Sequence, residues 1–248
     1  MKKALYLLIA LATITVTDAS AQSWKDLKKK AKEKTKEIKK SGLPTSGGLS
    51  EEEVGAGLKE ALNQGVTKGV TQLNKKDGYF KDPQIKIPMP AEAKNVEEKL
   101  RSLGQGEKVD EAIESMNRAA EDAAEGAKDI FVAAIKGMTL TDAMSILKGE
   151  DDAATKYLNK STRAELTKKF RPVIKASLDK VGATKHWKTV FSSYNKIPFV
   201  KKINPDLEEY VTEKALDGLF IQVAKEELKI RKDPAARATD LLKKVFGS

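Results

Sequence analysis

The stretch VDEAIESMNRAAEDAAEGAKDIFVAAI, Val109 to Ile135, decides the fold. Laid out at about 100° per residue, Val109, Ile113, Met116, Ala120, Ala123, Ala124, Ala127, Phe131 and Ala134 form one wide apolar face, the pattern of a helix packed on a core. The polar segment N-R-A-A-E-D inside it divides by helical phase. Asn117 falls on the edge of the apolar face and Glu121 one step further round. Arg118 points away, within one turn of Glu114 and Asp122, and joins the core only if a second helix covers its side. Ala119, Ala120, Ala123, Ala124 and Ala127 leave little bulk, so neighbouring helices can come close. A polar pair at such a contact needs partners, since an unsatisfied buried group costs about 1–3 kcal/mol.

Outward from this stretch the same periodicity recurs. Ser50 and Glu53 have capping-box spacing ahead of Val54, Leu58, Leu62, Val66, Val70 and Leu73. YFKDPQIKIPMP (Tyr79–Pro90) carries three prolines and alternating Ile85, Ile87 and Met89, which predicts an extended segment packed across helices rather than paired in a sheet. A short helix over Ala91–Leu103 closes at Gly104, and a single long helix is predicted from Glu107 to Lys136. Thr141-Asp142 and Asp151-Asp152 open two further helices, and Ser161 is predicted to cap another that bends at Pro172. Helices over His186–Tyr194 and Asp206–Arg231 follow, with a terminal helix from Asp233-Pro234 to Phe246. No repeat and no strand pattern emerges. The expected fold is all-α, seven to nine helices in one domain over residues 49–248.

The N-terminus reads as an address. Lys2 and Lys3 precede an apolar run from Ala4 to Val16, and Ala19-Ser20-Ala21 gives the small-x-small pattern of a signal-peptidase site, with cleavage between Ala21 and Gln22. The run is shorter than the roughly 20 residues a membrane span needs. Cysteine is absent, which excludes lipoprotein anchoring and disulfides. The expectation is therefore export to the periplasm or cell envelope, soluble or peripherally attached. Losing 21 of the 248 residues removes Lys2, Lys3 and Asp18, so the net charge falls from +10 to +9. Residues 22–48 form a lysine-rich leader and a Ser/Gly linker. Ser23 to Gly42 holds nine lysines against three acids, with Trp24, Leu27, Ala31 and Ile38 along one helical side. Such a segment suits an anionic membrane surface or another envelope polyanion. Only six of the 46 basic residues are arginine, and aromatics are 6%, which argues against nucleic acid as a partner.

Catalytic inventories are thin. There is no cysteine nucleophile, no GxSxG, no Walker loop and no dinucleotide fingerprint. The single histidine, His186, sits among lysines in T-K-H-W-K and rules out paired-histidine metal motifs. No cofactor, metal site or catalytic residue is expected, and the chain leans away from being an enzyme. In the last long helix Asp217 falls in an apolar arc with Tyr210, Ala224 and Leu228, and a buried carboxylate needs a partner. Arginine is the usual one, and Arg118, Arg231 and Arg237 flank the two helices. Asn117, Arg118, Glu121, Asp217, Arg231 and Arg237 are thus the candidates for a buried polar network or a ligand pocket.

Five segments carry a family resemblance: M-N-R-A-A-E (Met116–Glu121), D-A-x-x-I-L-x-G (Asp142–Gly149), A-A-T-x-Y (Ala153–Tyr157), Y-V-T-x-K-A-L-D-G-L-F (Tyr210–Phe220) and I-R-x-D-P-x-A-R (Ile230–Arg237), the last followed by L-L-K-K-V-F-G. Together they resemble a bacterial exported all-helical family, domain of unknown function 4197, over about residues 49–247. The resemblance implies a helical envelope protein and brings no activity, cofactor or catalytic residue. Three functions remain open: a non-enzymatic interaction or structural module, a small-ligand binder with a polar pocket near Asn117 and Asp217, and a hydrolase using carboxylates such as Glu121 and Asp217.

Overall fold

Ser50 caps the first described helix as its spacing predicts. Its hydroxyl accepts the Glu53 N–H at 3.2 Å, and the Glu53 carboxylate accepts the Ser50 N–H at 2.8 Å. The structure, a computed structural model, describes residues 49–196, 198–199, 202–237, 243 and 245. The expected signal peptide with its Ala21–Gln22 cleavage site, the basic leader and the linker lie outside the described residues. So does half of the expected terminal helix, whose described start is a single 3₁₀ turn at Pro234–Ala236. Among the described residues there are eight α-helices and no strand: α1 (Glu51–Leu73), α2 (Lys94–Ser102), α3 (Gly106–Ala124), α4 (Ala127–Gly137), α5 (Leu140–Leu147), α6 (Ala153–Lys180), α7 (Ala183–Tyr194) and α8 (Leu207–Lys232). Single 3₁₀ turns precede α2 and follow α8.

Two helix boundaries differ from the sequence expectation. The predicted helix Glu107–Lys136 is broken at Glu125-Gly126 into α3 and α4. There the Gly126 N–H bonds to the Ala123 carbonyl at 3.1 Å, a tighter step than the α-helical one. Ser161, expected to cap a new helix, lies inside the continuous α6, where its hydroxyl donates back to the Tyr157 carbonyl at 2.9 Å. Pro172 lies inside the continuous α6 on an exposed side.

α8 is central, packing on α1, α3, α6 and α7. Its Leu216, Leu219 and Val223 join Leu58, Val66 and Leu73 of α1, Met116 and Ala120 of α3, and Leu166, Phe170 and Ile174 of α6 in one buried cluster. Phe131 of α4 meets Phe220 edge to face, ring centroids 5.8 Å apart. α3 lays its alanine face on α6. Between α1 and α2 the chain has no α-helix. Residues 77–85 make successive turns where the sequence predicts an extended segment, and residues 86–90 have no regular structure, with Tyr79, Ile85, Ile87 and Pro90 buried. This segment, the strap, must find hydrogen-bond partners outside regular structure.

Candidate functional site

The motif that decides the fold is what holds the strap. Asn117 is fully buried. Its Oδ1 accepts the Ile87 N–H at 2.8 Å, and its Nδ2 donates to the Ile87 carbonyl at 2.9 Å. The side chain thus presents the donor and acceptor that a neighbouring strand would supply. One turn on, Glu121 Oε1 accepts the N–H groups of Tyr79 (3.0 Å) and Phe80 (3.1 Å). Its Oε2 accepts Arg118 Nη1 at 2.8 Å. Arg118 Nη2 reaches Asp77 at 2.7 Å and Glu114 at 2.9 Å, and the guanidinium stands 5.2 Å from the Phe80 ring.

The element that covers Arg118 is therefore the strap, not a second helix. The expected surface ladder keeps its Glu114 rung, but Asp122 accepts the Ser177 hydroxyl instead, at 2.6 Å. Burial works against the Arg118 charge, yet Glu121, Asp77 and Glu114 outweigh it and hold its pKa above the ordinary value. Lys81 first and Arg118 second keep the Asp77 carboxyl below its ordinary value.

On its other side the strap meets α8. Tyr79 donates its phenolic O–H to the Ala215 carbonyl at 2.8 Å, and burial, then the Glu121 charge, raises its pKa so that it stays protonated. Gly218 makes this approach possible: a Cβ there would stand 2.7 Å from Tyr79 Cε1 and 3.2 Å from Ile85 Cβ. Tyr210 donates to the Pro88 carbonyl at 2.9 Å, its phenol pushed up to about 12 by burial and then by Glu92. Lys225 pairs with Asp82 at 2.8 Å.

A second node lies toward the other end of α8, around Glu227. Its Oε1 accepts the Ala154 N–H (3.0 Å), and its Oε2 accepts both the N–H and the hydroxyl of Thr155 (2.8 Å each). The carboxylate thereby satisfies orphan donors in the first turn of α6, where a negative charge is favoured. Arg231, one turn further along α8, pairs with Glu227 at 2.9 Å and donates to the Ile146 carbonyl, also at 2.9 Å, at the end of α5. Arg237 is buried and donates to the carbonyls of Ile230 (3.1 Å) and Arg231 (2.8 Å), closing the C-terminal end of α8.

Asp217 is placed differently from its expectation. It is half-exposed, with 47% of its side chain accessible, and pairs with Arg163 at 2.7 Å. The arc it shares with Tyr210, Ala224 and Leu228 is the rim of α8; Leu228 is itself 40% exposed. The buried acids of that helix are Glu226 and Glu227 instead. The partners of Glu226 are local, Gln222 one turn before and Lys229 one turn after, whereas the backbone that Glu227 grips lies 72 residues earlier, out of reach of periodicity. The i,i+4 spacing of Glu227 and Arg231 was the one available signal.

Chemically, both nodes are closed. Glu121 and Glu227 each spend both oxygens on donors of the chain, leaving no open face toward a substrate proton. The recess beside Glu227 and Arg231 holds only about 10 Å³, at most the space of one water. An open groove of about 780 Å³ runs along α1 past Lys59, Asn63 and Thr67, and none of the six candidate residues lines it. His186 is exposed, and among the described residues no three acidic or histidine side chains gather as a metal site requires.

No curated protein and no solved structure matches this chain. The segments that carried the resemblance all reach the two nodes: M-N-R-A-A-E and the tyrosine-led α8 segment hold the strap, while A-A-T, the I-L pair of α5 and I-R-x-D-P-x-A-R meet at Glu227 and Arg231. A family model spans them, over residues 48–247, and the chain belongs to that family, Protein of unknown function (DUF4197).

Proposed function

We propose that this is an exported, non-enzymatic interaction or structural module of the cell envelope, with residues 23–40 docking it on an anionic surface. The observation that carries the reading is how the buried polar groups are committed. Asn117, Arg118, Glu121, Glu227, Arg231 and Arg237, the groups a ligand pocket or carboxylate catalyst would use, are each engaged by the chain itself. The small-ligand and hydrolase readings required Asn117 or Glu121 to share a site with Asp217. Asn117 instead holds Ile87, while Asp217 pairs with Arg163. Export is supported by the basic-apolar-small pattern of residues 1–21, and surface docking by nine lysines in the twenty residues from Ser23.

Two measurements test it. The protein recovered from its host should fractionate with the envelope and begin at Gln22; a cytoplasmic protein retaining residues 1–21 contradicts export. Replacing the nine leader lysines with glutamine should remove most of the co-sedimentation with vesicles of phosphatidylcholine and phosphatidylglycerol. Unchanged binding overturns the role of the leader.

A further inference from the structure

The connection between α7 and α8 carries a feature that neither node uses. Asn195 pins the base of a loop: its Nδ2 donates to the Ile203 carbonyl at 2.7 Å, and its Oδ1 accepts the Ile203 N–H at 2.8 Å. Trp187 adds a bond from its indole N–H to the Asn204 carbonyl, 3.2 Å. The ends are thus held together. At the tip, Phe199 is wholly exposed and sits in the left-handed region, φ 64°, uncommon for a residue with a side chain. Pro198 beside it is exposed, as are Lys196 and Lys202.

Along the sequence on both sides of this tip charge has one sign, the nearest acid at the loop base being Glu209, which accepts from Asn204 at 2.8 Å. From residue 180 to residue 205 the sequence holds six lysines and a histidine and no acid. Of these, Lys185 and Lys188 are exposed on α7. The acids that bound the stretch are engaged by other cations, Asp179 by Lys175 and Asp206 by Arg171. A bare phenyl ring in water is unfavourable, and a ring among lysines matches an interface that is apolar beneath and anionic above. A purely polar polyanion would satisfy the lysines but give the ring nothing.

We propose that the tip carrying Phe199, with Lys196 and Lys202, is a second contact of the folded domain with an anionic phospholipid surface, Phe199 entering the interface and the two lysines meeting headgroups. This deepens the surface reading above and rests on it.

The absence of native cysteine gives a clean probe. The exported protein carrying Phe199→Cys, labelled there with a polarity-sensitive nitrobenzoxadiazole, should gain emission and shift to the blue with phosphatidylcholine–phosphatidylglycerol vesicles. It should do neither with phosphatidylcholine alone. The same label at Glu52→Cys, exposed on α1, should stay unchanged on both. Phe199→Ser should weaken partitioning about tenfold, the scale of withdrawing one aromatic side chain from an apolar phase, without altering the melting temperature. If the parent binds these vesicles but the 199 label is silent and Phe199→Ser binds equally well, the loop proposal falls and the leader reading stands. If the parent does not bind anionic vesicles at all, both fall. Equal binding of parent and Phe199→Ser to a lipid-free polyanion, with no vesicle signal at 199, likewise overturns the loop as a membrane contact.

Discussion

Glu121 and Glu227 solve the same local problem in different surroundings. Each accepts two consecutive backbone N–H groups from a distant part of the chain, and each leans on an arginine of its own helix, Arg118 one turn before and Arg231 one turn after. Glu121 serves an irregular strap, and its arginine has Asp77 and Glu114 as further partners with 26% of its side chain exposed. Glu227 serves the start of α6, and its arginine is only 12% exposed and ties in the end of α5. The comparison teaches that a buried carboxylate–arginine pair is no signature of a reactive site. What matters is whether an oxygen is left over, and in neither node is one.

The difference in surroundings sets the order of expected damage. Glu227→Ala strands two N–H groups, a hydroxyl and a nearly buried guanidinium, and should cost about 3–5 kcal/mol. Glu121→Ala strands two N–H groups but leaves Arg118 with two acids and water, so about 2–3 kcal/mol is expected. Urea denaturation followed by far-UV circular dichroism ranks them. Equal losses would mean that the exposure of the arginine does not control the cost. A larger loss at Glu121 would reverse the comparison.

Much of this was legible beforehand, for a physical reason. Helix faces follow from local periodicity, so Val54, Leu58, Val66 and Leu73 in α1 and Met116, Ala120 and Ala124 in α3 are buried as their spacing predicts. Asn117 and Glu121 were placed at the core edge by phase alone. What phase cannot supply is the other half of a long-range contact. Ile87 lies 30 residues from Asn117, and Ala154 lies 73 from Glu227. Asp217 was misjudged because an apolar arc on a helix need not be covered throughout, and its arc runs out at the rim beside Leu228. Gly126 was the visible sign of the α3–α4 break, masked by the strong periodicity on either side.

Coupling separates the nodes further. Asn117 and Glu121 hold the same strap, so their alanine double mutant should lose less than the sum of the singles, with a coupling of about 0.5–3 kcal/mol. Glu121 and Glu227 share no partner, and their losses should add within about 0.5 kcal/mol. Strong coupling between Glu121 and Glu227 would instead mark one cooperative network. Gly218→Ala probes the strap from the α8 side. Its methyl would meet the Tyr79 ring at 2.7 Å, and overpacking of about 1–3 kcal/mol, less about 1 kcal/mol of regained helix propensity, leaves a loss of about 0–2 kcal/mol. Hydrogen exchange at Tyr79 and Phe80 should quicken while that at Ala154 and Thr155 holds. Quickening at both pairs would show that the disturbance is not confined to the strap.

Acid should loosen the strap node through its surface acids, with the smallest effect of the set. Lys81, then Arg118, hold the Asp77 carboxyl below its ordinary value, and Lys225 chiefly does the same for Asp82. A depressed folded pKa means that the unfolded chain takes up the proton first. The stabilisation is therefore complete above the unfolded value of about 3.9 and is lost as pH falls through the lower folded values. The double variant Asp77→Asn, Asp82→Asn removes this share, and asparagine keeps the backbone of residue 77 at ease, since its φ of 71° lies in the left-handed region asparagine tolerates. The variant should be less stable than the parent at pH 7, and the gap should narrow below about pH 4. Asp110, Asp142 and Asp179, also depressed by their own partners, keep an acid limb in both proteins, so only the difference between the two curves is diagnostic. A gap that stays constant from neutral to acid would mean that neither carboxylate is stabilised by its cation, and that Glu121, Asn117 and the two tyrosine hydrogen bonds hold the strap without them.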